Sequence, residues 1–183
     1  MTWIRDDAFI RGKIPMTKFE VRVLALAMLD IEPGDVVVDV GAGTGSISVQ
    51  AAISGAEVYA IERDPEGVEL IRRNADKFGV TVHVVHGSAP EALADVPAFQ
   101  KCFIGGSGGN LRGIVETVDA RSHSGVRIVA NFITPVNMVQ LNSLFTSLQY
   151  TRIETRLIQT AALDKLGLLR GQNPVFVVTG DKL

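Results

Sequence analysis

The segment Val38-Asp39-Val40-Gly41-Ala42-Gly43-Thr44-Gly45-Ser46 constrains the fold more than any other stretch of the chain. The apolar run Val36 to Val40 reads as a buried strand, and glycines end it at once. A pattern suited to a helix, Thr44 to Ser54, follows without a linker. A strand that turns on glycines straight into a helix is how a βαβ unit opens. Its loop backbone can approach a ligand closely, near the helix N-terminus.

The remaining pattern keeps that rhythm. Val21 to Leu29 is an apolar helical window that carries Arg22. Strands are expected at Glu57 to Ile61, Val80 to Val85, Lys101 to Ile104 and Val126 to Asn131, the last after a Ser124-Gly125 turn. Between them lie helices at Pro65 to Phe78 and Leu111 to Arg121, and a short one at Pro90 to Ala94. Pro135 to Leu148 is helical again, and Thr151 to Ile158 and Val175 to Thr179 are strands joined by a loop. Such alternation predicts an α/β, Rossmann-like fold: a seven-stranded, mostly parallel sheet with helices on both faces and an antiparallel C-terminal hairpin. The 183 residues suit one domain spanning 1–183.

Two carboxylates sharpen the reading of the glycine loop. The dinucleotide fingerprint requires glycine at position 46, which is Ser46, and no Gly-Lys-Ser/Thr follows to make a phosphate loop. Asp39, two residues before Gly41, would repel a pyrophosphate but suits a ligand with an ammonium and a sulfonium. S-adenosylmethionine carries both. Asp39 is equally suited to bracing the loop. Glu62, 21 residues after Gly41, stands at the spacing where an acidic side chain meets a ribose diol. The turn His86-Gly87-Ser88-Ala89-Pro90 is placed to border an adenine, with Ala89 as wall and Ser88 as donor. His86, His83 and His123 read as ordinary satisfied or solvated side chains, and no metal site or catalytic dyad is evident.

A further run, Gly105-Gly106-Ser107-Gly108-Gly109, follows the fourth strand, where such folds place acceptor-handling residues. The Asn/Asp-Pro-Pro-aromatic grip of enzymes that methylate base or protein nitrogens is missing. Small residues there leave space for a broad flat substrate and offer backbone N–H groups to its carboxylates. Lys18, Arg112, Arg152, Arg156 and Arg170 are candidate carboxylate holders.

Pro15-Met16-Thr17-Lys18, the first glycine loop, Ala60 to Glu66, Gly87 to Leu93, Phe103 to Gly109 and Asn173-Pro174-Val175-Phe176 occur in the order and spacing of one family. In these motifs the chain resembles the decarboxylating cobalt-precorrin/precorrin carbon-15 methyltransferases of cobalamin biosynthesis, over nearly its whole length. The resemblance implies a class I methyltransferase fold and S-adenosylmethionine held by Thr17, Gly41, Ala42, Gly43, Thr44, Gly45, Glu62 and Ala89. It further implies a tetrapyrrole acceptor and a homotetramer whose N-terminal segment and final hairpin shape the site. Ser88 stands where many relatives have aspartate, which leaves a hydroxyl or backbone contact there. The stretch Thr160 to Gly171 is less basic than the family suggests, with only Lys165 and Arg170.

Composition limits the alternatives. A net charge of −2 disfavours a nucleic-acid partner held by a general positive field. No apolar run approaches the roughly 20 residues of a membrane span, Met1 to Arg11 has no apolar signal core, and the one cysteine, Cys102, permits no disulfide within the chain. A cytoplasmic protein is expected. Three readings stay open beside the tetrapyrrole enzyme. An RNA or protein methyltransferase would show salt-dependent tRNA binding. A nicotinamide dehydrogenase is disfavoured by Asp39 and Ser46, and a non-catalytic module of the same fold would fail an assay.

Overall fold

Strand β1 (Val36–Val40) is buried from its second residue onward, as a strand covered on both faces must be. The structure, a computed structural model, describes residues 2–121 and 125–182. Helix α1 (Phe19–Leu29) precedes β1, and α2 (Ser46–Ile53), β2 (Glu57–Glu62), α3 (Pro65–Phe78), β3 (His83–His86) and β4 (Lys101–Ile104) follow. Then come α4 (Leu111–Arg121), β5 (Arg127–Phe132), α5 (Pro135–Ser147) and β6 (Thr151–Ile158). The short pair β7 (Ala161–Leu163) and β8 (Leu169–Gly171) leads to β9 (Val175–Asp181).

Seven strands form one sheet in the order β3-β2-β1-β4-β5-β9-β6. The first five are parallel, while β9 runs antiparallel to both β5 and β6. Alternate residues of β1 serve opposite cores: Val38 and Val40 pack with α4 and α5, and Val37 packs with α1 and α2. The chain thus leaves β1 toward one layer of helices and leaves β4 toward the other. That divergence opens a crevice at the carboxyl ends of β1 and β4, the usual ligand position in such sheets.

Several boundaries depart from the sequence expectation for visible reasons. Helix α2 starts at Ser46 rather than Thr44 because Gly43 and Gly45 have φ of +58° and +76°, which a right-handed helix excludes. Strand β3 starts at His83 rather than Val80, since Val80 N–H donates to Ala75 O in closing the end of α3. The expected helix at Pro90 to Ala94 is a 3₁₀ turn, Glu91–Asp95. The expected loop between the last two strands carries the β7–β8 hairpin, whose turn is braced by Asp164 accepting from Leu166 N, Leu168 N and Arg170 Nε. Helix α3 needs no adjustment: Asp64 caps it by accepting from Glu66 N, Pro65 opens it and Gly79 closes it in the left-handed region. Ser124 of the expected Ser124-Gly125 turn lies outside the described residues, as does His123.

Candidate active site

Four loops meet at the carboxyl edge of β1 to β4. The first turns on Gly41 and Ala42, whose N–H groups both donate to Ile61 O at 2.9 and 3.1 Å. A Cβ on Gly41 would stand 2.7 Å from Gly106 O and 2.8 Å from Gly106 N, so the two glycine loops touch backbone to backbone. A Cβ on Gly45 would press on Ile71 of α3 at 3.1 Å, and one on Gly43 would meet Pro15 O at 3.0 Å. These glycines therefore serve close packing within the chain, a reason that their spacing alone did not reveal.

The two carboxylates brace this loop. Asp39 lies on the α2 face of β1, buried, and its Oδ2 accepts from Ser48 Oγ. Its Oδ1 is enclosed and has no hydrogen-bond partner among the described residues. Burial pushes the Asp39 carboxyl up to about 7, against the Ser48 hydrogen bond and with help from the nearby Glu62 charge. Glu62, the last residue of β2, is also buried. Its Oε2 accepts from Gly43 N and its Oε1 from Asp64 N, each at 2.8 Å. Each oxygen keeps a second lone pair for a ligand hydroxyl. Gly67 makes room, since a Cβ there would stand 2.7 Å from Glu62 Cγ.

The third and fourth loops are tied to the first two. Gly87 N donates to Glu62 O at 3.0 Å, and Ser88 O accepts from Ala92 N, which leaves Ala89 partly buried against the core. His86 Nε2 is hydrogen-bonded to Arg63 O at 3.2 Å, a satisfied surface position. In the second glycine run the N–H groups of Gly105 and Gly106 donate to Val40 O. Those two amides are taken, so carboxylate binding by the whole run is more restricted than the sequence suggested. Gly108 lies beside Arg63, whose Nη1 would be 3.1 Å from an added Cβ.

The N-terminal segment reaches the same place because buried polar side chains hold it. Arg22, fully buried on α1, donates to Thr17 O at 2.8 Å and Ile4 O at 2.6 Å and pairs with Asp6. Asn74 of α3 joins Ile10 N, Ile10 O and Thr44 O, and Gln50 of α2 joins Ile4 N and Thr2 O. Pro15 is thus carried against Gly43 of the loop, with Thr17 two residues on and Lys18 at the cap of α1. Sequence reasoning missed Asn74 and Gln50. The available signal was a carboxamide on an otherwise apolar helix face, flanked by Leu70, Ile71 and Ala75 for Asn74.

The other candidate cations are engaged within the chain. Arg112 is exposed and bonds Glu116 at 3.0 Å, Arg152 pairs with Asp181, Arg156 with Glu154 and Arg170 with Asp164. Arg152, Arg156 and Arg170 belong to the final hairpin region rather than to the four converging loops.

A family model described as a precorrin methyltransferase domain matches residues 7–181. The cobalt-precorrin-6B C(15)-methyltransferase (decarboxylating) of Salmonella typhimurium is 33% identical over 186 residues, covering 98% of this chain and 96% of the relative. Among solved structures, precorrin-6y C5,15-methyltransferase from Geobacter metallireducens superposes with a TM-score of 0.91 at 34% identity, covering 97% of this chain and 96% of that one. The precorrin 8w decarboxylase from Methanobacterium thermoautotrophicum gives 0.88 at 30% identity, covering 97% and 98%. With a family model matched over residues 7–181 and relatives of nearly equal length, the chain belongs to the precorrin methyltransferase family.

Proposed function

We propose that this chain transfers a methyl group from S-adenosylmethionine to carbon 15 of cobalt-precorrin-6B, or its cobalt-free counterpart, with loss of carbon dioxide from an acetate side chain, and that residues 1–183 act as one domain. The observation that carries the reading is the backbone contact between Gly41 and Gly106, which joins the two loops assigned to donor and acceptor. The whole-length likeness to relatives named for this reaction supports it.

The residues fit S-adenosylmethionine. Asp39 Oδ1 and Thr44 Oγ1 are buried at the loop without hydrogen-bond partners among the described residues, a carboxyl and a hydroxyl oxygen whose bonding is unfilled. Asp39 faces the ligand's positive charge, and Glu62 with its spare lone pairs receives the ribose hydroxyls. Thr17, Gly41, Ala42, Gly43, Thr44 and Gly45 form the cradle, with Ser88 and Ala89 beside the adenine. When bound, the cofactor supplies a methyl already activated on a sulfonium.

The protein then has to position and enclose. Gly105, Gly106, Ser107, Gly108 and Gly109 leave the acceptor a flat approach beside the cradle, and Lys18 and Arg112 attract its carboxylates. Loss of carbon dioxide draws on the conjugated ring as electron sink, so no protein base is needed. A homotetramer suits the β7–β8 hairpin, where Leu163, Leu166, Leu168 and Leu169 are each more than half exposed. Among the described residues no helix is long and apolar enough to cross a membrane, and the single buried thiol, Cys102, fits a cytoplasmic setting.

The direct test is calorimetric titration with S-adenosylmethionine, followed by addition of the tetrapyrrole. Micromolar binding and release of S-adenosylhomocysteine only after tetrapyrrole addition support the reading. No binding refutes it.

A further inference from the structure

Arg63 directly follows Glu62 at the carboxyl end of β2, and the fold fixes where its side chain starts. Arg63 O is hydrogen-bonded to His86 Nε2 at 3.2 Å. On its other side Asp64 N donates to Glu62 Oε1, and the Asp64 carboxylate caps α3. Strand β1 lies between β2 and β4, so the ends of β2 and β4 are two strand spacings apart, about 10 Å. The Arg63 side chain closes that gap. A Cβ on Gly108, in the loop after β4, would stand 3.1 Å from Arg63 Nη1 and 3.8 Å from its Cζ. The guanidinium therefore rests on the second glycine run, although its backbone belongs to the cofactor side of the site.

The fold makes no use of this charge. Arg63 is exposed, and its side chain has neither an ion pair nor a hydrogen bond among the described residues. Arg112, Arg152, Arg156 and Arg170, the arginines expected to hold substrate carboxylates, each pair with a carboxylate of the chain itself. The acids beside Arg63 are engaged otherwise. Glu62 accepts from Gly43 N and Asp64 N, and Asp64 accepts from Glu66 N.

The surface under the guanidinium is bare backbone. Gly108 is exposed with φ of +57°, and Gly109 has nothing within 4 Å of where a Cβ would stand. The N–H groups of Gly108 and Gly109 donate to no acceptor among the described residues. A planar cation with five donors is thus held over open backbone, next to the place where the two glycine loops touch.

Building on the proposed tetrapyrrole reaction, we propose that Arg63 anchors the acceptor: its guanidinium takes a peripheral carboxylate of the tetrapyrrole beside Gly108 and Gly109. The guanidinium fork matches a carboxylate with two parallel hydrogen bonds, so it sets the orientation of the ring as well as attracting it. The carboxylate concerned is one that the reaction leaves in place. An ion pair to the departing group would stabilise its negative charge in the ground state and oppose loss of carbon dioxide. Gly108 is part of the site, since any side chain there would push the guanidinium away.

The test compares Arg63→Gln, Arg63→Ala and Arg63→Lys with the unaltered protein. Thermal midpoint, S-adenosylmethionine affinity, cobalt-precorrin-6B affinity by absorbance titration, KM and kcat are followed. Arg63→Gln is expected to melt and bind S-adenosylmethionine as wild type does, because the side chain it replaces is exposed and unpaired. Its tetrapyrrole dissociation constant and KM should rise about tenfold, with kcat near the wild-type value. Arg63→Lys should recover part of the loss, as a point charge without the fork. With the tetrapyrrole carboxylates esterified, wild type and Arg63→Gln should bind it equally. Wild-type tetrapyrrole affinity in Arg63→Gln, or in Arg63→Ala if the first does not fold, overturns the proposal. So does a tenfold gap that survives esterification, or an equal or exclusive loss of S-adenosylmethionine affinity, which would put Arg63 on the cofactor. Absence of tetrapyrrole binding by the wild-type chain instead overturns the reaction on which the proposal rests.

Discussion

Asp39 Oδ2 accepts a 2.5 Å hydrogen bond from Ser48 Oγ, nine residues later and on the third residue of α2. The pair ties the end of β1 to the helix across the glycine loop, and Asp39 Oδ1 stays without a hydrogen-bond partner among the described residues.

This arrangement sets a pH dependence. The Asp39 carboxyl is raised from 3.8 to about 7, chiefly by burial. Between about pH 4 and about pH 7 the unfolded chain has lost this proton while the folded chain keeps it. Folding takes up a proton in that window, so this group's contribution to stability falls as pH rises through it. Asp39→Asn should remove that slope and leave the ligand-free protein more stable than wild type at pH 8, as thermal melts across pH will report. S-adenosylmethionine affinity should rise through about pH 7 in wild type and be weak and flat in Asp39→Asn.

Glu62 holds Gly43 N and Asp64 N at once. Glu62→Ala is expected to cost ~2 kcal/mol of stability and to weaken S-adenosylmethionine binding about tenfold or more. Calorimetry with an unchanged affinity would leave Glu62 a purely structural brace.

Gly41 combines a φ of +70° with the close approach of Gly106. Gly41→Ala should push the two loops apart, lowering stability by ~2 kcal/mol and abolishing measurable S-adenosylmethionine binding. Gly34, with φ of +92° and open space around it, is the control: Gly34→Ala carries the backbone strain alone and should bind normally.

Arg22 gathers Ile4 O, Thr17 O and Asp6 around one buried guanidinium. Arg22→Met should cost ~3 kcal/mol. Limited proteolysis should then cut within the first 17 residues, and cofactor affinity should drop as the segment around Pro15 leaves Gly43.

Arg112→Ala should raise the KM for the tetrapyrrole without altering S-adenosylmethionine affinity. Because Arg112 pairs with Glu116 on an exposed face, equal KM values would mark it as a surface ion pair.

The strand-helix rhythm was legible in the sequence because buried parallel strands are near-continuous apolar runs, as Val36 to Val40 shows with Asp39 its one polar residue, and because Pro65 and Gly79 punctuate α3 so clearly. The roles of the glycines were only half legible. Spacing announces a tight loop, but the contact of Gly41 with Gly106 spans 65 positions and exists only once β1 and β4 are neighbours. Asn74 and Gln50 were hidden for the same reason, since their partners lie in a segment without regular structure. The β7–β8 hairpin escaped notice because strands of three residues are too short to show a period.

The most direct test of the central claim is mass spectrometry of cobalt-precorrin-6B after incubation with the protein and isotopically labelled S-adenosylmethionine. The account predicts a product that has gained one labelled methyl and lost one carbon dioxide. An unchanged tetrapyrrole mass, with S-adenosylmethionine bound to the protein, would contradict it.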